Sequence, residues 1–374
     1  MKIKNKKNLI ILEDSSYVNY SGGQVVTESL IKKLKDDYKI LLVDFISDSK
    51  FVINVRRYVS EIFIHKFKLK RSNDSKLNNT KIIIYKNIFY PFYFIFNLLH
   101  LLNFIKKNKN LVCVISMTRH SHVYLYAIKF FYNIKIIAHV HSNELNSRNK
   151  LKVMNYIYKK FDHVIFVSRF IQNLYTRLNS SCIYNPVLLN NYSASVPNIN
   201  KIKIGFVGKL QGWKGIEIFL LASNFFTKKN IYKDISWSVY GDGENLNKYK
   251  KNFNNVNFFG FIKKSDIYKN IDILVLPSID AESCPMTILE AISQSKLVIT
   301  TDFGGQAEIV KKYYGLLIKP NNVNELISAI KLAINNIYDP EIQKIIDKCA
   351  IQIRKDLSIT SYYEKYKRVI NALN

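Results

Sequence analysis

Short apolar runs alternate with longer amphipathic segments along the whole chain, and this alternation limits the folds that the chain can adopt. Neighbouring parallel strands need a long crossover, usually a helix, so the pattern predicts a doubly wound α/β protein. Strands are expected at 8–13, 40–45, 81–85, 111–116, 135–141, 163–168 and 182–185, then at 202–207, 237–240, 256–259, 273–277, 297–300 and 315–318. Helices are expected at 23–35, 124–132, 169–178, 215–226, 285–294, 323–335, 340–351 and 360–373.

The length of 374 residues and one segment without apolar periodicity indicate two domains. A domain holds roughly 150 residues, and residues 188–200 are rich in Asn, Ser and Pro, which is typical of a linker. We predict a first domain at 1–190, a linker at 191–200 and a second domain at 201–355. A C-terminal helix at 356–374 is expected to pack back towards the first domain.

The charge is strongly basic and unevenly distributed. The chain has 56 Lys and Arg residues against 28 Asp and Glu, a net charge of +28. Residues 1–200 hold 31 basic and 11 acidic side chains, whereas residues 201–374 hold 25 and 17. Such an excess favours an anionic partner, which can be nucleic acid, an acidic bilayer surface or a phosphate-bearing substrate. The chain carries no signature of an RNA- or DNA-binding module, so we predict no nucleic-acid partner.

The cysteines and histidines do not form a metal-binding pattern. The four cysteines are far apart and include no CxxC pair, which is typical of reduced thiols in a cytosolic protein. The apolar run at 9–12 is too short for a signal peptide, so a cytosolic chain is expected. A site built on His139 and His141, or on His120 and His122, is an alternative, but no carboxylate or cysteine partners cluster near them. We predict no metal.

Residues 88–105 form an apolar and aromatic segment of 18 residues that allows three interpretations. It can be a buried helix of the domain, a helix that also docks on a membrane surface, or a membrane span. Asn97, His100 and Asn103 would share one helical face and argue against a lipid-exposed span. The 50–109 window holds 13 basic and two acidic residues, which favours contact with an anionic membrane surface.

A glycine-rich turn with two lysines opens the second domain. Gly205–Gly215 runs from a predicted strand to a predicted helix and carries Lys209 and Lys214. Amide groups at a helix N-terminus together with two cations would hold a pyrophosphate. An ordinary loop with solvated lysines is the alternative.

Two glutamates, Glu282 and Glu290, are eight residues apart around a predicted helix start at Pro285. Glu282 would lie in the loop before the helix and Glu290 inside it, so that one carboxylate can meet a sugar and the other ribose hydroxyls. A capping carboxylate and an ordinary surface glutamate are the alternatives. Glycine pairs also occur at 22–23 and 304–305, but none forms the GxGxxG fingerprint of a nicotinamide or flavin site.

Taken together and in this order, the motifs resemble those of glycosyltransferase family 4 in the GT-B superfamily. They are Gly-Lys-Leu at 208–210, Lys-Gly at 214–215, Tyr-Gly-Asp-Gly at 240–243, Phe-Gly-Phe at 259–261, the two glutamates eight apart, and Gly-Gly-Gln-Ala-Glu at 304–308. The resemblance implies two Rossmann-like doubly wound domains that face each other across a cleft. It also implies transfer of a sugar from a nucleotide-diphosphate donor with retention of configuration and usually without a metal.

The resemblance assigns a role to individual residues of the second domain, which would bind the donor. Lys209 and Lys214 would neutralise the diphosphate, Glu290 would hold the ribose, and Glu282 would contact the transferred sugar. The backbone amides of Met286 and Thr287 would lie near the sugar or phosphate. Pro285 departs from the glycine that many members carry, which removes one amide donor.

In the first domain, on the acceptor side, the resemblance assigns roles to three further residues. Gly22 and Gly23 would let the loop approach the phosphates, and His141 would lie near the reacting centre. No general base is assigned, because in this superfamily the departing phosphate can itself take the acceptor proton.

The expected function is therefore a retaining glycosyltransferase of cell-surface polysaccharide or lipopolysaccharide synthesis, such as O-antigen or capsule synthesis. Its acceptor would be a saccharide or a lipid-linked saccharide, and the protein would be peripheral at the inner face of the plasma membrane. An inactive scaffold or partner subunit and a nucleotide-sugar epimerase of the same fold are the alternatives.

Overall fold

The computed structural model describes residues 6–15, 20–65, 90–142, 147–189, 201–229 and 235–374. The chain divides into two compact units, described here one at a time. The first comprises Met1–Val167, Gln172–Ile183 and Tyr362–Asn374, and the second comprises Ser168–Ile171 and Tyr184–Ser361. The predicted linker at 191–200 and the predicted strand at 81–85 lie outside the described residues.

The strands of the first unit are β1 (Asn8–Leu12), β2 (Lys39–Asp44), β3 (Glu61–Ile64), β4 (Leu111–Ser116), β5 (Ile136–Val140), β6 (His163–Phe166) and β7 (Ser180–Cys182). Over the described residues they form one parallel sheet in the order β3-β2-β1-β4-β5-β6-β7. Helices in this half of the chain are α1 (Gly22–Leu34), α2 (Lys50–Val55), α3 (Tyr90–Lys107), α4 (Arg119–Ile128), α5 (Arg148–Tyr158) and α6 (Arg169–Gln172).

The strands of the second unit are β8 (Ile202–Val207), β9 (Ile235–Tyr240), β10 (Val256–Gly260), β11 (Ile273–Leu276), β12 (Leu297–Thr301) and β13 (Leu316–Ile318). The described residues place them in a parallel sheet in the order β10-β9-β8-β11-β12-β13. The helices that follow are α7 (Ile216–Lys228), α8 (Leu246–Asn252), α9 (Lys264–Ile267), α10 (Met286–Ser293), α11 (Gly304–Tyr313), α12 (Val323–Asn336), α13 (Pro340–Asp356) and α14 (Ile359–Ala372).

The two strand orders confirm the predicted fold class, since each unit is a Rossmann-like α/β unit on a parallel sheet. The order reverses between β1 and β4 in the first unit and between β8 and β11 in the second. Ligands of open α/β sheets bind outside the carboxyl ends of the strands at such a reversal. Residues directly after β1, β4, β8 and β11 are therefore in position to form sites.

Each unit has its own hydrophobic core around its sheet. Leu9–Leu12 in β1 is buried from end to end, as a strand covered on both faces must be. In the second unit, Phe219 and Phe226 of α7 pack on Trp237 of β9, with ring centroids 5.7 Å apart in both pairs. These cores hold the carboxyl ends of the strands in fixed positions.

Several elements of the first half differ from the prediction, and three of them have a plain physical reason. Strand β3 was not predicted, because its apolar run is only three residues long and lies at the edge of the sheet. The helix predicted at 124–132 is α4, which begins at Arg119 and ends at Ile128. The helix predicted at 169–178 ends at Gln172, and Arg177 adopts a left-handed backbone (φ 56°) that leads the chain into β7.

The apolar segment at 88–105 corresponds to helix α3. It buries Leu101, Phe104 and Ile105, whereas Phe92 and Leu99 are 58% and 59% exposed. Among the described residues, no helix combines the length and the apolar character that crossing a bilayer requires.

Helix α14 starts in the second unit and belongs to the first unit from Tyr362 onwards. Tyr362, Tyr366 and Ile370 recur every four residues and are completely or almost completely buried, so they form its core-facing stripe. Tyr363 and Lys367 bond to the carboxylate of Asp37 at the end of the first crossover.

Candidate active site

The carboxyl ends of β8 and β11 in the second unit carry a buried ion pair between Lys214 and Glu282. The Lys214 ammonium bonds one carboxylate oxygen of Glu282, and the Ser278 hydroxyl donates to the other at 2.5 Å. Glu282 is 8% exposed. The Lys214 ammonium also lies 4.5 Å from the ring centroid of Trp213. The two residues that the motifs singled out are thus in direct contact.

The backbone of Gly215 determines where Lys214 points. A short 3-10 turn, Gly212–Lys214, ends at Gly215, whose φ is 73°. A Cβ at this position would lie 1.9 Å from the carbonyl oxygen of Pro277. Only glycine fits this left-handed position against the end of β11. The turn therefore holds Lys214 next to the loop that carries Ser278 and Glu282.

The loop around Glu282 is held by the N-terminus of α11. The Glu282 amide donates to Gln306 Oε1 at 2.8 Å, and the Gly305 amide donates to the Glu282 carbonyl at 2.7 Å. A Cβ on Gly305 would lie 1.9 Å from the carbonyl oxygen of Ser283. The Gly-Gly-Gln motif thus positions the Glu282 loop, and Gln306 was not predicted to take part.

Helix α10 begins directly after this loop. Pro285 is its cap residue rather than its first residue, and Met286 and Thr287 open the helix. The first amides of a helix have no acceptor within the helix and carry the positive end of its dipole. Both residues are partly exposed. Their amides belong to the N-terminus of α10, where an anion would bind.

Glu290, inside α10, is not a surface residue: it is 1% exposed. The Lys264 ammonium bonds one of its carboxylate oxygens, and the Tyr268 hydroxyl donates to the other at 2.9 Å. Burial, followed by the charge of Glu290, raises the pKa of the Tyr268 hydroxyl. Lys264 begins α9 and Tyr268 directly follows it, 26 and 22 residues before Glu290. Neither residue belongs to a recognisable motif.

Two further charged groups complete the second unit's site. Lys209 follows β8, is exposed, and forms no ion pair with any residue that the structure describes. Glu308, the last residue of the Gly-Gly-Gln-Ala-Glu motif, accepts hydrogen bonds from the amides of Arg169 and Phe170 and from the Tyr184 hydroxyl. Glu308 thus holds the backbone of Arg169 and Phe170, a role that its motif did not indicate.

In the first unit, Gly22 and Gly23 form the start of α1 after the Ser21 cap. Ser21 and Gln24 bond each other's backbone amides in a capping box, at 3.1 and 3.3 Å. A Cβ on Gly23 would lie 3.9 Å from His141 Nδ1. The predicted glycine pair and the predicted histidine are therefore neighbours.

His141 follows β5, and its ring lies against the ring of His139, with centroids 3.9 Å apart and the planes tilted by 54°. Burial lowers the pKa of His141 to about 4, so its ring is neutral near pH 7. The Tyr366 hydroxyl of α14 is 2.6 Å from His139 Nδ1. The buried Tyr366 thus holds the His139 ring that His141 contacts.

A cavity of about 240 Å³ opens at the carboxyl ends of β1, β4 and β5 in the first unit. His141 and Gly23 line it, together with Glu13, Gln24, Arg119 and His122. Within the described part of the chain, no three His, Cys, Asp or Glu side chains are grouped so that they could hold a metal ion. Glu13 was not predicted, since it belongs to no motif.

The chain is similar to a known protein family and to several named glycosyltransferases. Residues 192–350 match the family described as "Glycosyl transferases group 1". An uncharacterised glycosyltransferase of Methanocaldococcus jannaschii is 29% identical over 244 residues, 58% of this chain and 60% of that relative's length. An N,N'-diacetylbacillosaminyl-diphospho-undecaprenol α-1,3-N-acetylgalactosaminyltransferase of Campylobacter jejuni is 25% identical over 95% of this chain and 98% of its own. A UDP-Gal:α-D-GlcNAc-diphosphoundecaprenol α-1,3-galactosyltransferase of Escherichia coli is 28% identical over 45% of each chain.

Solved structures share the fold over nearly the full length. HepE of Anabaena, in complex with UDP and glucose, aligns with a TM-score of 0.76 at 17% identity, covering 98% of this chain and 100% of that one. A glycosyltransferase of Rickettsia africae gives 0.77 at 19% identity and 99% coverage of both chains. At these identities the likeness shows the fold alone, which is two Rossmann-like α/β units on parallel sheets.

The second unit, which carries the motifs, thus matches the glycosyl transferases group 1 model over 192–350, and the relatives that resemble the chain over a larger part of its length are named as glycosyltransferases.

Proposed function

We propose that the protein is a retaining glycosyltransferase that moves a sugar from a nucleotide-diphosphate donor to a lipid-linked saccharide in surface-polysaccharide synthesis. The observation that carries this proposal is the Lys214–Glu282 pair, which lies on glycine-shaped turns beside the N-terminus of α10. It combines a cation, a carboxylate and open amides, which are the groups that a sugar diphosphate needs.

Charge develops on the diphosphate as the glycosidic bond breaks, so groups aimed at it stabilise the transition state. Lys214 and the amides of Met286 and Thr287 would contact this diphosphate. Lys209, exposed at the end of β8, would add a second positive charge. When the donor binds, Lys214 would share its protons between Glu282 and the phosphate.

The two glutamates would bind the two ends of the donor. Glu282 would accept a hydrogen bond from a hydroxyl of the transferred sugar while Ser278 holds its other oxygen. Glu290 would accept bonds from the ribose hydroxyls, since an ionised carboxylate offers about four lone-pair positions and its described partners use two of them.

In the first unit, Gly22 and Gly23 would let the phosphates approach the start of α1. His141 would act as a neutral hydrogen-bonding group near the reacting centre, because burial keeps it uncharged. We assign no general base and no metal to the reaction.

The acceptor and the location are inferred from the relatives and from the surface of the first unit. Two relatives are named for acceptors that carry diphospho-undecaprenol, a lipid. Helix α3 exposes Phe92, Ile95 and Leu99 and ends with Lys106 and Lys107. An apolar helical face next to basic residues is typical of docking on an anionic membrane. We therefore propose that the protein is peripheral at the cytoplasmic face of the plasma membrane.

Calorimetric titration with UDP, GDP, ADP and CMP tests the donor site. We expect one nucleotide to bind, and Lys214→Ala to weaken it about 10- to 100-fold through the loss of a charged hydrogen bond. Lys251→Ala removes an exposed lysine of α8 in the same unit and should leave binding unchanged. If none of the four binds, with or without anionic vesicles, the donor site is refuted.

Product analysis tests the reaction itself. With the matching sugar nucleotide and a diphospho-undecaprenol saccharide, the new anomeric centre should keep the donor's configuration by NMR, and EDTA should leave the rate unchanged. An inverted centre would refute retention. Conversion of the donor sugar without any acceptor would indicate the epimerase instead.

A further inference from the structure

The cavity of the first unit contains a buried carboxyl group for which the proposed reaction has no role. Glu13 follows β1 directly, lines the cavity and is 3% exposed. Glu13 therefore lies at the strand-order reversal between β1 and β4, where ligands of open α/β sheets bind. Glu13 forms no ion pair with any residue that the structure describes.

The proton of Glu13 can be located from its partner, Thr27 of α1. The Thr27 hydroxyl oxygen lies 3.1 Å from Glu13 Oε2 and 3.1 Å from the carbonyl oxygen of Gly23. A hydroxyl has one proton to give, and a carbonyl oxygen can only accept. Thr27 can donate to either oxygen, and an ionised Glu13 would share this one proton with Gly23. A protonated Glu13 can instead donate to Thr27 while Thr27 donates to Gly23, so that each contact has its own proton. The arrangement therefore favours a protonated Glu13.

The surroundings favour the same protonation state. Burial, followed by the charge of Asp44, raises the pKa of Glu13 to about 8, although the Asp14 amide and Thr27 act in the opposite direction. Asp14 adds a further negative charge. The other titratable or charged groups that line the cavity are Arg119, His122, His141 and Tyr158. Both histidines have pKa values lowered by burial, to about 3 and about 4, and are neutral near pH 7.

We propose that Glu13 is a positioning residue which stays protonated in the working protein and, through Thr27, fixes Gly23 and the first turn of α1. The carboxyl O–H donates to Thr27, Thr27 donates to Gly23, and the glycine turn is thereby held beside His141. Loss of the proton breaks this order, because the carboxylate then competes with Gly23 for the single Thr27 proton.

The first test measures the proton directly and does not depend on the proposed function. In full-length protein labelled with carboxyl-¹³C glutamate, the resonance that disappears in Glu13→Gln is that of Glu13. We expect it to titrate near pH 8. Titration below about pH 6 would overturn the proposal, whatever reaction the protein catalyses.

The second test uses transferase activity, and in this readout the inference rests on the proposed function. Above pH 8 the wild-type kcat/KM should fall about tenfold per pH unit as the protonated form is lost. Glu13→Gln keeps a donor in the same place, so it should recover most of the activity that Glu13→Ala loses and should not show this alkaline fall. A Glu13→Gln variant as inactive as Glu13→Ala would mean that the carboxylate is needed ionised, and the proposal would be wrong.

Variants of Thr27 supply the matched comparison. Thr27→Ser keeps the hydroxyl and should behave like the wild type, whereas Thr27→Val should lower kcat/KM to the level of Glu13→Ala. Ser29→Ala is the control, since the Ser29 hydroxyl also bonds a carbonyl four residues earlier, that of Val25 at 2.9 Å, and no carboxyl group among the described residues bonds it. Equal effects of Thr27→Val and Ser29→Ala would overturn the proposal.

Discussion

At the residue scale, the proposed donor site is defined by carboxylates whose partners come from distant parts of the second unit. Glu290 is the clearest example, because its oxygens face Lys264 and Tyr268 rather than solvent. A buried carboxylate with two such partners is oriented before any ligand arrives, so its role should be visible in ligand affinity without a change of fold.

We expect Glu290→Gln to weaken the best-binding nucleoside diphosphate by about 10- to 100-fold, the range of one hydrogen bond to a charged group. The 2′,3′-dideoxy analogue lacks the ribose hydroxyls and should bind wild type and variant alike. Calorimetry with both ligands on both proteins measures the difference. An equal loss for the two ligands would show that Glu290 does not hold the ribose.

Glu13 should also make stability depend on pH. Its pKa is about 8 in the folded protein against 4.5 normally, so the folded state binds the proton more tightly than the unfolded state. The wild type should therefore lose stability relative to Glu13→Gln as pH rises from about 4.5 to 8, by at most about 4 kcal/mol. Urea unfolding of both proteins across this range measures it, and a difference that does not change with pH would contradict the prediction.

At the element scale, a hydrogen bond joins helix α14 to the histidines beside the cavity of the first unit. Tyr366 bonds His139, whose ring lies against the ring of His141. Tyr366→Phe keeps the packing and removes the bond. We expect it to lower kcat several-fold, with an unchanged KM for the donor and a stability loss of about 1 kcal/mol.

The matched control lies three residues earlier on the same helix. The Tyr363 hydroxyl bonds Asp37, far along the chain from the histidines. Tyr363→Phe should cost similar stability but leave kcat unchanged. If both variants reduce kcat equally, α14 acts only through stability and Tyr366 has no specific effect on His141.

Helix α3 is the element expected to meet the membrane. Phe92, Ile95 and Leu99 lie on one helical face and are more than half exposed. Replacing all three by serine should abolish flotation with anionic vesicles at low salt, since both the apolar area and its position next to Lys106 and Lys107 matter. Ile351→Ser removes a residue of α13 that is 63% exposed and should have no effect. Unchanged flotation of the triple variant would exclude α3 as the contact.

At the scale of the whole molecule, the two units have separate cores and can be observed separately. Both tryptophans, Trp213 and Trp237, belong to the second unit. The unfolding midpoint followed by tryptophan fluorescence should therefore rise when the nucleotide is added, with a stabilisation of about 2.7 kcal/mol at a hundredfold excess over Kd. Absence of a shift, although calorimetry shows binding, would place the nucleotide outside the second unit.

Much of the fold could be predicted because its signals are local. The strands of the second unit were expected within one or two residues of their observed ends, since buried parallel strands are short continuous apolar runs. Strand β3 was missed because its apolar run is too short to stand out. Helix α6 was predicted too long, because the pattern cannot show that Arg177 turns into the left-handed region.

By itself, the sequence determined the α/β class, the positions of the glycine turns, and the identity of Lys214, Glu282 and Glu290 as candidate site residues. Only the tertiary structure decided what these groups touch: Lys264 and Tyr268 at Glu290, Gln306 at the Glu282 loop, and Thr27 at Glu13. The reason is physical. Strand and helix periodicity is written in neighbouring residues, whereas a buried hydrogen bond joins groups that only the packing of the sheet and its helices brings within 3 Å of each other.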